Sequence, residues 1–189
     1  MCINTIFRTI WNSLLSLFVT STLPEVDALT KEEIKLLVDN WPKLKEKNPD
    51  LFRRAWIKSA RMSVNVKKAT GLRDDEDPET NGRFVSLSPL IEDFVDKLII
   101  EFRCDDIKVA EASRKLGARH VLLENFHTNF WDIFLGNLIH IIIEAHLEGE
   151  QREIATICEK FFSFFVSFMR DGYKMRVQEE LSGRRRMKA

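Results

Sequence analysis

The stretch SRKLGARHVLLENFHTNFWDIFLGNL, residues 113–138, places a single histidine, His120, between two different patterns. Before it, Val109, Ala112 and Leu116 recur at spacings of three and four, which is the period of an amphipathic helix. After it, aromatic residues are frequent, and a second apolar run begins at residue 129. The stretch therefore predicts two helices joined close to His120, and this histidine either binds a ligand or fills the core.

The composition is typical of one soluble globular domain with extensions. The chain has 189 residues, of which 44% are hydrophobic and 31% charged, enough to bury one ordinary core. The 29 basic and 29 acidic residues cancel, and only the tail GRRRMKA is strongly basic, so we expect no nucleic-acid partner. Cys2, Cys104 and Cys158 are widely spaced, which favours a reducing compartment, the cytoplasm, over a disulfide framework.

The chain is predicted to have three parts: an apolar N-terminal extension at 1–28, a helical domain at 29–178 and a basic tail at 179–189. The extension carries one charge before Glu25, at Arg8, and a stripe of large apolar residues at helical spacing. That stripe comprises Ile3, Ile6, Phe7, Ile10, Trp11, Leu14, Leu15 and Phe18.

Three interpretations of this N-terminal extension remain open. It resembles a secretory signal in length and in its one early arginine, although polar residues interrupt the apolar run. It is also typical of an amphipathic helix lying on a membrane surface, beside which Cys2 could be palmitoylated. The third interpretation is a leader that packs on the domain or is partly disordered. No apolar run reaches the roughly 18 residues of a membrane span.

Helical patterns follow one another from residue 29 onward. Thr30 and Glu33 predict a capping box at the start of the first helix, and Asn48 followed by Pro49 predicts the start of the second. The segment RDDEDPETNGR is the one long loop of the domain, and a helix then runs from residue 86 or 88 to 102. No window requires a strand. The predicted class is all-α, with six to eight helices.

The residues show no catalytic arrangement, so we do not expect an enzyme. A scan finds no nucleophile with a base, no phosphate loop and no pair of carboxylates at a suitable spacing. His140 and His146 are six residues apart, whereas two metal ligands on one helix need a spacing of three or four. His120 and His127, taken alone, are also most simply ordinary histidines.

The order of the helical segments resembles a globin of the divergent invertebrate type found in nematodes. The resemblance rests on LTKEEIKLLVDNW (29–41) as the first helix with its tryptophan, LGARH (116–120) as the end of the helix that bears the proximal haem ligand, and FMRDGY (168–173) at the end of the last helix. It covers about three quarters of the chain. It implies a globin-like fold, bound haem with His120 as the proximal ligand of the iron, and a diatomic gas (oxygen, carbon monoxide or nitric oxide) as the partner.

The resemblance also implies a haem pocket lined by apolar residues. The expected pocket residues are Leu87, Ile91, Val95, Leu116, Phe126 and Phe130, with Leu98 and Phe134 close by. The ring of His120 should be oriented by an acceptor earlier on the same helix, either the carbonyl of Leu116 one turn before it or the hydroxyl of Ser113 two turns before it.

Two positions depart from the family's pattern. Where globins place a phenylalanine after the second helix, this chain has Thr70 or, in another register, Val66. No histidine precedes His120, so the distal position falls on an apolar residue. The candidates for that position are Leu87 and, in a later register, Leu90 or Phe94. The indole N–H of Trp56 is the remaining large donor expected nearby.

The resemblance leaves two functions open. The first is a haem globin that binds a gas or senses gas or redox state. The alternative is a globin-folded interaction or sensor module that has lost haem and is tethered to a membrane by the N-terminal extension.

Overall fold

The computed structural model describes residues 28–145 and 151–186, which are helical nearly throughout. Its α-helices are α1 (Lys31–Lys47), α2 (Leu51–Met62), α3 (Val64–Ala69), α4 (Gly82–Val85), α5 (Leu87–Asp96), α6 (Asp106–Arg119), α7 (Asn129–Ala145) and α8 (Gln151–Arg186). A π-helical turn at Lys97–Glu101 continues α5, and a 3-10 turn at His120–Leu122 continues α6. Neither described part contains a strand, so the predicted all-α class is confirmed.

The predicted capping box at the start of α1 is present. The Glu33 N–H donates to the Thr30 hydroxyl at 3.2 Å, and the Thr30 N–H donates to the Glu33 carboxylate at 2.7 Å. These bonds satisfy two N–H groups that have no partner within the helix. The same carboxylate also accepts from Lys160 at 2.9 Å, which ties the start of α1 to α8.

The predicted start of α2 is wrong by two to three residues. Asn48 is not the N-terminal cap of α2, because its side-chain amide donates to the Leu44 carbonyl at 3.0 Å and so closes the end of α1. Pro49 lies between the helices, and α2 begins at Leu51 after Asp50. Asn48 is buried at this junction, where the carbonyls at the end of α1 need a donor.

The long helix predicted from residue 86 or 88 to 102 corresponds to α5 and its π-helical turn. Arg103 and Cys104 then adopt left-handed conformations with φ of 52° and 56°, which turn the chain back toward the core. The Asp105 carboxylate accepts from the Lys108 N–H at 3.0 Å and caps α6. This connection fixes where α6 enters the fold.

Helix α6 lies along α8 in the most extensive helix contact of the described residues. Two glycines make the close approach possible. A Cβ placed on Gly117 would lie 1.9 Å from the Met169 carbonyl oxygen, and one placed on Gly172 would lie 2.0 Å from the Arg114 carbonyl oxygen. No larger residue fits at either position unless the backbones separate.

The buried apolar residues form two clusters. The main core joins α1, the first half of α2, α5, α6, α7 and α8, and its fully buried members include Trp41, Leu98 and Phe162. The second cluster lies around α2, α3 and α4 and consists of Ile57, Ala60, Val66, Leu72, Phe84 and Phe130. Helix α2 packs on α5 and α7 between them.

Several predicted features lie outside the described residues or extend across a predicted boundary. Residues 1–27 of the N-terminal extension, with Cys2, are outside, as is His146. Helix α8 continues to Arg186, so the expected boundary between domain and tail at residue 178 lies inside this helix. Within 28–145 and 151–186, no helix combines the length and the apolar character needed to cross a membrane.

Candidate functional site around His120

His120 is the C-terminal cap residue of α6, and its half-buried ring is fixed by one hydrogen bond. The Nδ1 atom lies 2.8 Å from the Leu116 carbonyl oxygen. Because a carbonyl can only accept, Nδ1 carries the proton, and Nε2 keeps its lone pair when the ring is neutral. Of the two orienting acceptors predicted from the sequence, the structure places the Leu116 carbonyl there. The buried Ser113 hydroxyl has no hydrogen-bond partner in residues 28–145 and 151–186.

Burial controls the protonation of His120. Loss of solvent around the ring lowers the pKa of His120 below its ordinary value, and the bond to the Leu116 carbonyl opposes this only in part. The neutral form therefore predominates at pH 7. A neutral imidazole with an oriented Nδ1–H is the form in which histidine binds a metal through Nε2.

Two aromatic rings contact this imidazole, and two more contact those rings. We call this group the aromatic cluster, which comprises His120, Phe126, Phe130, Trp131 and Tyr173. The His120 ring centre lies 4.9 Å from that of Phe126 and 5.2 Å from that of Trp131. Phe126 in turn contacts Phe130 at 5.5 Å and Tyr173 at 5.9 Å. The cluster joins the end of α6 to α7 and α8.

Trp131 and Tyr173 were missed as site residues by the sequence analysis. Trp131 is next to Phe130 in the chain, and neighbouring positions on a helix point in directions about 100° apart, so one apolar face does not predict both. Tyr173 comes from a distant helix, and its ring lies 6.2 Å from Trp131. The indole N–H of Trp131 is buried and has no acceptor within the described residues.

The predicted pocket residues differ in how deeply their side chains are buried. Val95 is buried in the main core and Phe130 in the second cluster. Ile91, Leu116 and Phe126 are half-buried and pack at the edge of the main core. The structure thus brings Leu116 and Phe126 directly to His120, whereas Ile91 and Val95 approach the core from α5.

The distal candidates lie on α5, which begins at Leu87, as in the earlier of the two predicted registers. Leu87 is half-buried, whereas Leu90 has 63% of its surface exposed and faces solvent. Phe94 is half-buried and contacts Phe165 of α8. Each of these side chains is apolar and offers no hydrogen bond.

The indole of Trp56, expected as a free donor, is already bonded. Its N–H donates to the Phe84 carbonyl at 3.0 Å, and the two rings stack 4.9 Å apart, 9° from parallel. Phe84 is buried beside Val66 in the second cluster, so α4 supplies a phenylalanine near the end of α3. The Thr70 hydroxyl donates to the Val66 carbonyl at 2.8 Å.

The other described histidines occupy simpler surroundings. His127 is exposed, and its ring lies 5.7 Å from that of Phe130. His140 Nε2 lies 3.0 Å from the Glu144 carboxylate. Within the described residues, no three histidine, cysteine or acidic side chains are grouped closely enough to hold a metal ion.

Comparison of the chain with models of known protein families finds no match, and comparison with curated proteins finds none either. The argument for function therefore rests on the geometry around His120 and on the sequence resemblance.

Proposed function

We propose that this chain is a haem-binding globin in which His120 is the proximal ligand of the iron, and which binds oxygen or another diatomic gas or senses gas or redox state. The hydrogen bond from His120 Nδ1 to the Leu116 carbonyl is the observation that carries the proposal. It orients the ring from within α6 and leaves Nε2 available to iron.

The surroundings of His120 support haem as the group that it binds. Four apolar residues at the edge of the core are only half-buried, namely Ile91, Leu116, Phe126 and Phe134. A flat apolar cofactor would cover such surfaces. In the described part of the chain the Trp131 N–H is a buried donor without an acceptor, and leaving such a donor unbonded costs about 1–3 kcal/mol. A cofactor that carries acceptor oxygens would remove that cost.

The packing of α6 also suits a metal ligand. An iron ligand must keep its position, and the contact of Gly117 with the Met169 backbone fixes α6 against α8 close to His120. The globin fold packs helices pairwise around a haem pocket, and the described helices also pack in pairs.

Bound haem would supply the iron on which the gas sits, and the chain would supply the surroundings of that iron. His120 would anchor the cofactor from one side. The α5 residues Leu87 and Phe94 would exclude water from the other side without donating a hydrogen bond. Trp56 would not reach a gas ligand while its N–H is bonded to Phe84.

Haem reconstitution of histidine variants tests the proposal. We expect the wild-type protein to bind one haem with a Soret band and a five-coordinate ferrous spectrum. His120→Ala should lose stoichiometric binding and the band, because His127 is exposed and His140 Nε2 already lies 3.0 Å from the Glu144 carboxylate. His127→Ala is the matched control, since this exposed ring lies seven residues away, and it should keep both. If His127→Ala lost haem binding while His120→Ala kept it, His120 would be excluded as the ligand.

A second function is favoured by the close packing of the aromatic cluster. Phe126 and Trp131 contact the His120 ring directly, and Val95 and Phe130 are buried by protein alone. A globin-folded interaction or sensor module without haem would have such a closed core. A wild-type protein that shows neither a Soret band nor a change in melting temperature after haem addition would favour this module over the globin.

We infer a cytoplasmic location for either form. In the second form, residues 1–28 would attach the module to a membrane surface.

A further inference from the structure

A cleft of about 260 Å³ lies between α2, α7 and the loop that precedes α4, away from the aromatic cluster. Its charged lining consists of Arg53, Arg54, Lys58, Arg61, Glu79 and Glu144. Ile57 and Ile141, both buried, form an apolar floor between the charges. The cleft thus combines an excess of positive charge with an apolar base.

The positive charge comes from one helix. The sequence of α2, LFRRAWIKSARM, contains four cations and no acidic residue. Arg54, Lys58 and Arg61 are spaced by four and three residues, which places them on one face as neighbours. Like charges at this spacing repel each other and destabilise a helix unless an anion lies between or beside them.

Only part of this charge is neutralised by the protein. Arg61 bonds Asp77 at 3.0 Å and Glu79 at 2.8 Å, and Arg53 lies 3.7 Å from Glu79. Arg54 and Lys58 have no carboxylate within ion-pair distance in the part of the chain that the structure describes. Some other helix cations do have such a partner.

Lys45 of α1 bonds Glu92 at 2.6 Å, and Lys115 of α6 bonds Glu111 at 2.6 Å. The nearest acid on the α7 side of the cleft, Glu144, is shared with His140. Within 28–145 and 151–186, Arg54 and Lys58 are therefore two cations of one cleft without an ion-pair partner.

We propose that this cleft binds a small organic phosphate, with Arg54 and Lys58 donating to the phosphate oxygens. A guanidinium and an ammonium together match a dianion, and arginine donates two parallel hydrogen bonds to such oxygens. The organic group would lie on Ile57 and Ile141. The volume is below the roughly 300–1,000 Å³ of sites for drug-sized ligands, so the organic group should be small. This site is independent of haem.

Calorimetric titration with inorganic phosphate and with phenyl phosphate, at constant ionic strength, tests the site. We expect saturable binding of both probes, with phenyl phosphate binding more tightly because its ring covers the apolar floor. In the double variant Arg54→Gln/Lys58→Gln, affinity for both probes should fall by about tenfold or more, since hydrogen bonds to charged groups are lost.

Lys108→Gln/Lys115→Gln is the matched control, because it removes the same charge from exposed positions on α6. It should bind both probes as the wild type does. The proposal would be overturned if the two double variants lost phosphate affinity equally, or if the wild type showed no saturable binding of either probe. Binding to vesicles that contain phosphatidic acid, without binding of either soluble probe, would also overturn it, because the partner would then be a lipid surface.

Discussion

Two tryptophans of this protein pack in different ways against their aromatic neighbours. Trp56 stacks on Phe84, and its N–H donates to the carbonyl of the same residue. Trp131 contacts His120 and Tyr173, but its buried N–H has no acceptor among the residues that the structure describes. Buried polar groups are nearly always bonded in native proteins, so an exception calls for an explanation. Around Trp56 the indole N–H is bonded within the protein, so no ligand is needed there. Around Trp131, the indole N–H and His120 Nε2 can both still bind a ligand.

The largest change in stability should come from substituting Gly117, which lets α6 lie against α8 beside the aromatic cluster that contains Trp131. A Cβ at this position would meet the Met169 carbonyl oxygen, which is backbone and cannot rotate away. We expect Gly117→Ala to lower the free energy of unfolding by about 3 kcal/mol, the upper end of the usual cost of overpacking. Chemical denaturation measures the loss, and the near-ultraviolet signal of Trp131 should change with it.

Gly183→Ala provides the control for this substitution. Gly183 also lies in α8, but a Cβ there would have no atom within 4 Å. Alanine is the better helix former by roughly 0.5–1 kcal/mol, so this variant should be as stable as the wild type or slightly more stable. A Gly117→Ala protein as stable as Gly183→Ala would show that α6 and α8 are farther apart than the structure places them.

Removing the indole N–H of each tryptophan should have an intermediate effect on stability, and the effect should differ between Trp56 and Trp131. Replacing each indole by its benzothiophene analogue exchanges the N–H for sulfur and keeps the shape of the ring. At Trp56 we expect a loss of about 1 kcal/mol in the free energy of unfolding, because the Phe84 carbonyl loses its donor. At Trp131 we expect no loss or a small gain, because no bond is broken. Equal losses at the two sites would mean that the Trp131 N–H has an acceptor after all.

The smallest effect should be the pH dependence that His120 contributes to stability. Burial lowers the pKa of His120 in the folded protein, whereas the unfolded chain takes up the proton at about pH 6.5. The unfolded state therefore binds more protons below about pH 6.5, and the free energy of unfolding should fall as the pH falls. The loss continues until the pH is below the folded pKa.

The variants His120→Gln and His127→Gln test this origin of the pH dependence. We expect a smaller slope of unfolding free energy against pH in His120→Gln, measured by denaturation of the haem-free protein in a series of buffers. The exposed His127→Gln should keep the wild-type slope. An unchanged slope in His120→Gln would show that this ring ionises as freely in the folded protein as in the unfolded one.

The sequence by itself determined the features that depend on near neighbours in the chain. The capping box of Thr30 and Glu33 and the cap of α6 at Asp105 are bonds across three residues. The bond between His120 and Leu116 spans four residues, the distance from one helical turn to the next. The sequence pattern therefore predicted the capping box, and it limited the acceptor for His120 to Leu116 or Ser113, because backbone geometry alone brings atoms one turn apart together.

Only the tertiary structure decided which distant residues meet. The bond from Asn48 to Leu44 is itself local, but the burial of Asn48 at the junction of α1 and α2 is set by packing and is not visible in the sequence. Trp131 and Tyr173 reach the aromatic cluster, and Gly117 and Gly172 allow α6 to lie on α8, through contacts between parts of the chain far apart in sequence. A periodic pattern shows that a helix has a buried face, but the packing of whole helices selects the partner of that face.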